Sequence, residues 1–191
     1  MSALLRAFVA VEIPEDVRAA LDAVQERLRQ QLVRARWVRS GSMHLTLKFL
    51  GDIPAAQVAG VADALREAAR GHAALRLSAA GIGAFPGLRR PRILWTGFSG
   101  ETEPLADLQR SVEEGLAALG FPREERPFRA HLTIGRFSGP VAPGPLGEAL
   151  KAFATASFGE FAVQELVLFQ SELKPSGAVY TALARVKLDE P

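Results

Sequence analysis

Apolar and other residues alternate over residues 4–12 (LLRAFVAVE), the pattern of a strand with one buried face. Pro14 follows. Val17, Leu21, Val24 and Leu28 then recur with the period of an amphipathic helix, which predicts a helix over 14–31. Alternation returns at 43–50 and predicts a second strand. Pro54 opens a second helix carrying Val58, Val61, Ala62 and Leu65, and residues 74–83 predict a strand that ends in the turn-rich GAFPG. From residue 92 the plan starts again. The pattern predicts a strand over 92–98, a helix over 104–119, a strand over 130–137, a helix over 145–154, and strands over 158–170 and 178–188. The Gly/Pro-rich segments 83–91 and 138–147 read as loops rather than hinges between independent domains.

Sliding the sequence by 87 residues lays the first five elements on later ones in order: 5–12 on 92–99, 14–31 on 101–118, 43–50 on 130–137, 54–69 on 141–156 and 74–83 on 161–170. Residue identity across the shift is poor, so the order of periods carries the match. It implies an ancient duplication and a single domain, 1–191, of two pseudosymmetric α+β lobes, each giving one strand to a shared site. The same shift aligns two phrases, HLTLKFLG at 44–51 and HLTIGRF at 131–137. The chain has only three histidines, and two of them open these phrases.

In a strand, residues i and i+2 share a face, with side chains about 6.6 Å apart along it. This predicts that His44, Thr46 and Lys48 point one way while Leu45, Leu47 and Phe49 point into the core. In the second phrase His131, Thr133 and Gly135 share a face, and Leu132 and Ile134 lie opposite. A lone His-x-Thr in a strand is most often structural, because threonine is common there. Two of them at equivalent places in a duplication are harder to dismiss. The third histidine, His72, has no threonine partner and reads as a loop or cap residue.

Composition narrows the chemistry. The 191-residue chain is 48% apolar, enough for a core, and has no cysteine, which excludes disulfides, thiolate catalysis and Cys-based zinc sites. The stretch LLRAFVAVEI, interrupted by Arg6 and Glu12, is too short to span a bilayer, so the expectation is a soluble, cytoplasmic protein without membrane attachment. Net charge is +2 and the pI about 9.4, with arginines gathered in RARWVR at 34–39 and GLRRPR at 87–92. Either stretch alone reads as a solvated face. Together they favour an anionic partner. Two histidines with no nearby Asp, Glu or Cys are a poor metal-ligand set. There is no G-x-S-x-G, P-loop or G-x-G-x-x-G. In-line phosphoryl transfer fits two imidazoles and two hydroxyls best. One imidazole serves as base and the other as acid, and the hydroxyls donate to nonbridging phosphate oxygens.

The chain resembles the 2H phosphoesterase superfamily. Within it, it is similar to the RNA 2′,3′-cyclic phosphodiesterases, also called 2′-5′ RNA ligases. RAFVAVEIPEDVRAAL at 6–21, RWVRSGSMHLTLKFLGD at 36–52, GAFPGLRRPRILWTGF at 83–98, RPFRAHLTIGR at 126–136 and SELKPSGAVYTAL at 171–183 carry the resemblance. Ala130 departs from it, standing where many members have proline. The resemblance implies His44 and His131 as the catalytic pair, His44 as acid toward a leaving 3′ oxygen and His131 as base for water. It implies phosphate binding by Thr46, Thr133 and Arg136, with Lys48 of matching parity assisting. Position 136 has the wrong parity in a regular strand, so a bulge near Gly135 is expected.

The implied fold is α+β and bilobal, with two antiparallel sheets flanking a cleft and helices outside. The implied partner is an RNA or oligonucleotide ending in a 2′,3′-cyclic phosphate, tRNA-derived ends included. No cofactor and no metal are implied, and the protein is expected to be a monomer. The implied reaction is hydrolysis to a 2′-phosphate, with reversible ATP-independent 2′-5′ ligation. Alternatives are a phosphodiesterase for 2′-5′ oligonucleotides or a non-RNA cyclic phosphate, and a nonenzymatic RNA-end binder.

Overall fold

The computed structural model describes residues 3–32, 35–175 and 177–190. Among these, nine strands and four α-helices run in the order β1 (Leu4–Glu12), α1 (Glu15–Arg29), β2 (Ala35–Trp37), β3 (His44–Pro54), α2 (Val58–Ala69), β4 (Leu75–Phe85), β5 (Ile93–Gly100), α3 (Thr102–Ala117), β6 (Leu132–Phe137), α4 (Pro143–Ala152), β7 (Ser157–Val163), β8 (Glu165–Lys174) and β9 (Gly177–Lys187). The local causes are those the pattern suggested. Pro14 sits extended as the N-cap of α1, with Glu15 and Asp16 in the first turn and Arg27 and Arg29 in the last, all favourable to the helix dipole.

The strands form two antiparallel sheets, one ordered β3-β1-β8-β9 and the other β2-β6-β5-β4-β7. Helices cover one face of each sheet and build the main core there, with Leu21, Leu28, Leu65, Leu105, Leu108 and Leu116 fully buried against strand residues such as Leu45, Leu94, Leu132 and Ile134. The helix-free face of the four-stranded sheet carries a small separate cluster of Phe8, Ala10, Val167 and Phe169, with Tyr180 packed on it.

Two features depart from the expected plan. The run 158–170 is not one strand. It breaks at Gln164, and its two parts enter different sheets, β7 beside β4 and β8 beside β1. The two halves of the chain also exchange elements. By position β4 and β8 are equivalent, yet β4, from the first half, pairs with β5, while β8, from the second half, pairs with β1. The helices cross over likewise. Helix α1, which follows β1, packs beside β7 of the five-stranded sheet, and α3, which follows β5, packs beside β3 of the four-stranded sheet. Each sheet is therefore completed and covered by material from the other half.

Candidate active site

Both His-x-Thr phrases start strands, and β3 and β6 run within 8 Å of each other, Cα to Cα. Strand β3 is the outer strand of its sheet, and β6 lies one strand in, behind the three-residue β2.

Each strand carries a one-residue bulge at the same place. In β6 the partners along β5 step from Thr133 (opposite Trp95) to Gly135 (opposite Leu94), which leaves Ile134 unpaired on that side. In β3 the partners along β1 step from Thr46 (opposite Ala10) to Lys48 (opposite Val9), which leaves Leu47 unpaired. Both extra residues fall three positions after the histidine. A bulge places two consecutive side chains on one side and reverses the alternation beyond it.

In β6 the bulge does what the sequence required. Arg136 lies opposite Ile93, which shares a face with Trp95, and Trp95 lies opposite Thr133. The Arg136 guanidinium is exposed on the face that carries His131 and Thr133. In β3 the same bulge overturns two expectations. Lys48 was expected beside His44 as a phosphate contact. Instead it turns to the helix side, is 6% exposed, and donates to Glu113 Oε2 of α3 at 2.7 Å and to the Pro122 carbonyl at 2.8 Å. Phe49, expected in the core, is 70% exposed on the helix-free face, 5.9 Å from the Phe8 ring.

A glutamine from each exchanged helix holds each bulge. Gln25 of α1, 1% exposed, donates from Nε2 to the Ile134 carbonyl and to the Val38 carbonyl, both at 2.8 Å. Gln109 of α3 donates from Nε2 to the Leu47 carbonyl at 3.3 Å, and Glu113 Oε1 accepts from the same nitrogen at 3.3 Å. The carbonyls bound are those of the two bulge residues. Neither glutamine figured in the sequence reading. Their signal was a polar residue within the apolar stripe of a helix, Gln25 between Leu21 and Leu28 and Gln109 between Leu105 and Val112.

The two imidazoles are anchored alike. The Ser42 carbonyl accepts from His44 Nδ1 at 3.2 Å, and the Arg129 carbonyl accepts from His131 Nδ1 at 2.7 Å. In each case the acceptor is two residues before the histidine. A carbonyl only accepts, so Nδ1 carries the proton and Nε2 is the nitrogen presented for chemistry. His44 packs among aromatic rings, with Phe169 at 4.6 Å and Tyr180 at 4.9 Å. Burial there pushes its proton affinity below the ordinary imidazole value. The Ser42 carbonyl and the Glu12 charge oppose this, and Arg18 adds to it. Glu12 lies directly opposite His44 in the ladder and is held ionised, chiefly by its hydrogen bond from Arg185. His131 meets the Phe85 ring edge-on at 5.3 Å, and Phe85 stacks on Trp95. The Trp95 ring lies so close across the backbone of Gly83 that a Cβ there would sit 2.1 Å from it, so only glycine fits. The third histidine takes no part, since His72 Nε2 shares a hydrogen bond with Ser111 Oγ at 2.9 Å. A cavity of about 700 Å³ adjoins His44, between α1 and the segment 37–44, and Glu12, Arg18, Trp37 and Tyr180 are among its walls. Among the described residues no His/Asp/Glu cluster of metal-site size occurs, and no helix is long and apolar enough to cross a membrane.

The family model for LigT-like phosphoesterases matches residues 11–95 and 98–180. This chain belongs to that family. A protein of Methanothermobacter thermautotrophicus named RNA 2′,3′-cyclic phosphodiesterase is 33% identical over 184 residues, covering 96% of this chain and 99% of the relative. A Thermus thermophilus protein of the same name is 34% identical over 191 residues, covering 96% of this chain and 90% of that one. The crystal structure of TT0787 of Thermus thermophilus superposes with a TM-score of 0.80 at 31% identity, covering 97% of this chain and 99% of that one. Escherichia coli LigT, solved in complex with 3′-AMP, shares the fold at a TM-score of 0.80 and 23% identity, covering 98% of this chain and all of that one. The bilobal α+β architecture with two antiparallel sheets is thus that of LigT-like phosphoesterases, and the protein is a phosphoesterase.

Proposed function

We propose that this protein hydrolyses 2′,3′-cyclic phosphate ends of RNA to 2′-phosphates by acid–base catalysis between His44 and His131. The observation that carries this reading is the matched anchoring of the two imidazoles through Nδ1 to the carbonyl two residues back, on neighbouring strands of the two sheets that carry the same bulge. Relatives named for this activity support it.

In the reaction, water attacks phosphorus as His131 Nε2 removes its proton. The bond from phosphorus to the 3′ oxygen breaks, and His44 Nε2–H protonates that oxygen. Phosphate remains on the 2′ oxygen, and solvent returns the proton to His44 and takes one from His131. Thr46, Thr133 and Arg136 meet the nonbridging oxygens, where charge is concentrated in the transition state. Burial of His44 in the empty site favours the neutral ring, which an acid must not be. A phosphodiester anion beside it favours the imidazolium and restores the acid form on binding. An RNA 5′-hydroxyl entering in place of water gives a 2′-5′ linkage, with ring strain standing in for ATP. Ends of tRNA origin, a monomeric working unit and a cytoplasmic setting go with this reading.

The test digests an oligonucleotide ending in a 2′,3′-cyclic phosphate, with EDTA present and ATP absent, and maps the phosphate with enzymes specific for 2′ or 3′ ends. A 2′-phosphate is expected. A predominantly 3′-phosphate product reverses the leaving oxygen and removes the ligation reading with it.

A further inference from the structure

The geometry points to Arg36 as the contact for a second RNA phosphate, the one that joins the terminal nucleotide to its 5′ neighbour. This builds on the reading of Arg136 as a contact for the cyclic phosphate.

Arg36 lies directly opposite Arg136 in the β2–β6 ladder. Directly opposed residues project to the same face with Cβ atoms about 4.5–5.5 Å apart. Arg136 faces the side of His131 and Thr133, so Arg36 does as well. Its neighbour confirms the alternation. Trp37 turns to the helix side, within 3.6 Å of where a Cβ on Gly135 would stand and with the Arg29 guanidinium of α1 over its ring. Arg36 and Arg136 are both exposed, and neither makes a side-chain ion pair or hydrogen bond among the described residues. Arg18, Arg29, Arg66, Arg70, Arg110 and Arg185 are each paired with a carboxylate, but exposed arginines such as Arg6 and Arg90 are unpaired too among the described residues, so it is the place opposite Arg136 that distinguishes Arg36.

Like charges directly opposite each other in a ladder are unfavourable unless an anion neutralises them. A nucleoside 2′,3′-cyclic phosphate brings one negative charge, which Arg136 and the threonine hydroxyls meet. The second guanidinium stands one strand further out, on the segment that crosses from one sheet to the other and delivers His44. It has work only when the substrate brings a second phosphate, and guanidinium is the cation suited to phosphate oxygens. Of the stretch RARWVR, Arg36 is thereby singled out. Arg34 lies outside the described residues, and Arg39 lines the cavity beside His44.

The experiment compares a dinucleotide ending in a 2′,3′-cyclic phosphate with the matching mononucleoside cyclic phosphate, for wild type and Arg36→Gln. The ratio of kcat/KM, dinucleotide to mononucleoside, falls about tenfold in the variant, the effect of one charge-assisted contact. In parallel, binding of a dinucleotide carrying a terminal 3′-phosphate is measured across a salt series. The slope of log affinity against log salt becomes shallower by about 1 in Arg36→Gln and is retained in Arg36→Lys. An unchanged ratio, an equal loss on both substrates, or an unchanged slope overturns the assignment. The binding arm needs no turnover. A wild type that binds the dinucleotide but opens neither cyclic phosphate refutes the proposed reaction and leaves Arg36 to be judged by the slope.

Discussion

Replacing Gln25 with methionine keeps the length and shape of the side chain and removes its two N–H donors. In the native protein both are used, on the carbonyls of Val38 and of the bulge residue Ile134. The Ile134 carbonyl keeps a second donor, the Val38 N–H at 3.1 Å, so the heavier loss falls on Val38. Leaving one buried carbonyl unsatisfied and a second under-satisfied costs about 2–3 kcal/mol. In a chain of this length that lowers Tm by about 4–12 °C. The further consequence is catalytic. The bulge sets where Arg136 and His131 point, and a displacement of about 1 Å at a reacting group can cost on the order of 10²-fold. Hydrolysis of a nucleoside 2′,3′-cyclic phosphate, assayed well below Tm, should show kcat per folded molecule down by about tenfold or more. Leu146→Ala is the control. Leu146 is fully buried in α4, and the change costs about 2–5 kcal/mol in stability without touching either bulge. Gln25→Met that melts early but retains wild-type kcat would refute the argument. So would an equal loss of kcat in the Leu146 control.

Other outcomes follow from the same structure. His44→Ala and His131→Ala should each lower turnover by about 10²–10⁴, and Thr46→Ala and Thr133→Ala by less; near-normal activity in either histidine variant, measured by cyclic phosphate hydrolysis, excludes the two-histidine mechanism. The kcat/KM profile against pH reports the free enzyme, in which burial lowers the proton affinity of His44. A group of lowered proton affinity sets the lower-pH limb of such a profile whether it serves as acid or as base, so one limb lies below the ordinary imidazole range; Glu12→Gln, which removes a charge favouring imidazolium, moves that limb lower still, whereas two unmoved limbs would show that the rate does not depend on His44 titration. Lys48→Met leaves Glu113 buried without its cation and should cost about 3–5 kcal/mol in denaturant unfolding, with kcat per folded molecule changed far less; unaltered stability with weakened substrate binding would return Lys48 to the phosphate. Phe49→Ala, at a largely exposed ring on the site face, should leave stability nearly unchanged and raise KM for nucleotide substrates by about tenfold, the worth of a lost base stack, against no change in KM if the ring is idle.

The order of strands and helices was legible because each element keeps one apolar face, and the paired motif stood out because histidine is scarce. What was not legible has specific causes. A bulge leaves no mark in the apolar–polar pattern. It was inferred in β6 only because Arg136 had the wrong parity for a phosphate contact. The same inference, carried back along the duplication, puts a bulge after His44 and turns Lys48 inward and Phe49 outward. Strand parity taken alone gave the reverse. The break at Gln164 was hidden because FGEFAV and ELVLFQ are both rich in apolar residues and no glycine or proline separates them. Strand β2 is three residues long, too short for any period to show. The exchange of strands and helices between halves has no local signature, because each element looks the same whichever sheet it joins.

That exchange bears on how the site is held. Sequence order assigns β1, α1, β3, α2 and β4 to the first half, and a lobe made of these alone would hold its own motif. Instead β4 stands in the sheet of the second motif, and Gln25 from α1 clamps the bulge after His131. The first motif depends in turn on the second half. β8 pairs with β1, Gln109 from α3 clamps the bulge after His44, and Lys48 is tied through Glu113 to the segment that runs on toward His131. Neither histidine is positioned by its own half of the chain alone. Fragments cut in the loop between β4 and β5 should therefore show no native packing singly, by the dispersion of their amide spectra, and should recover activity only when mixed. A first fragment that folded alone with His44 Nδ1 still bonded to Ser42 would show that the four-stranded sheet needs neither β8 nor α3, and the cross-bracing would then be ornament rather than the means by which two imidazoles are brought to one phosphate.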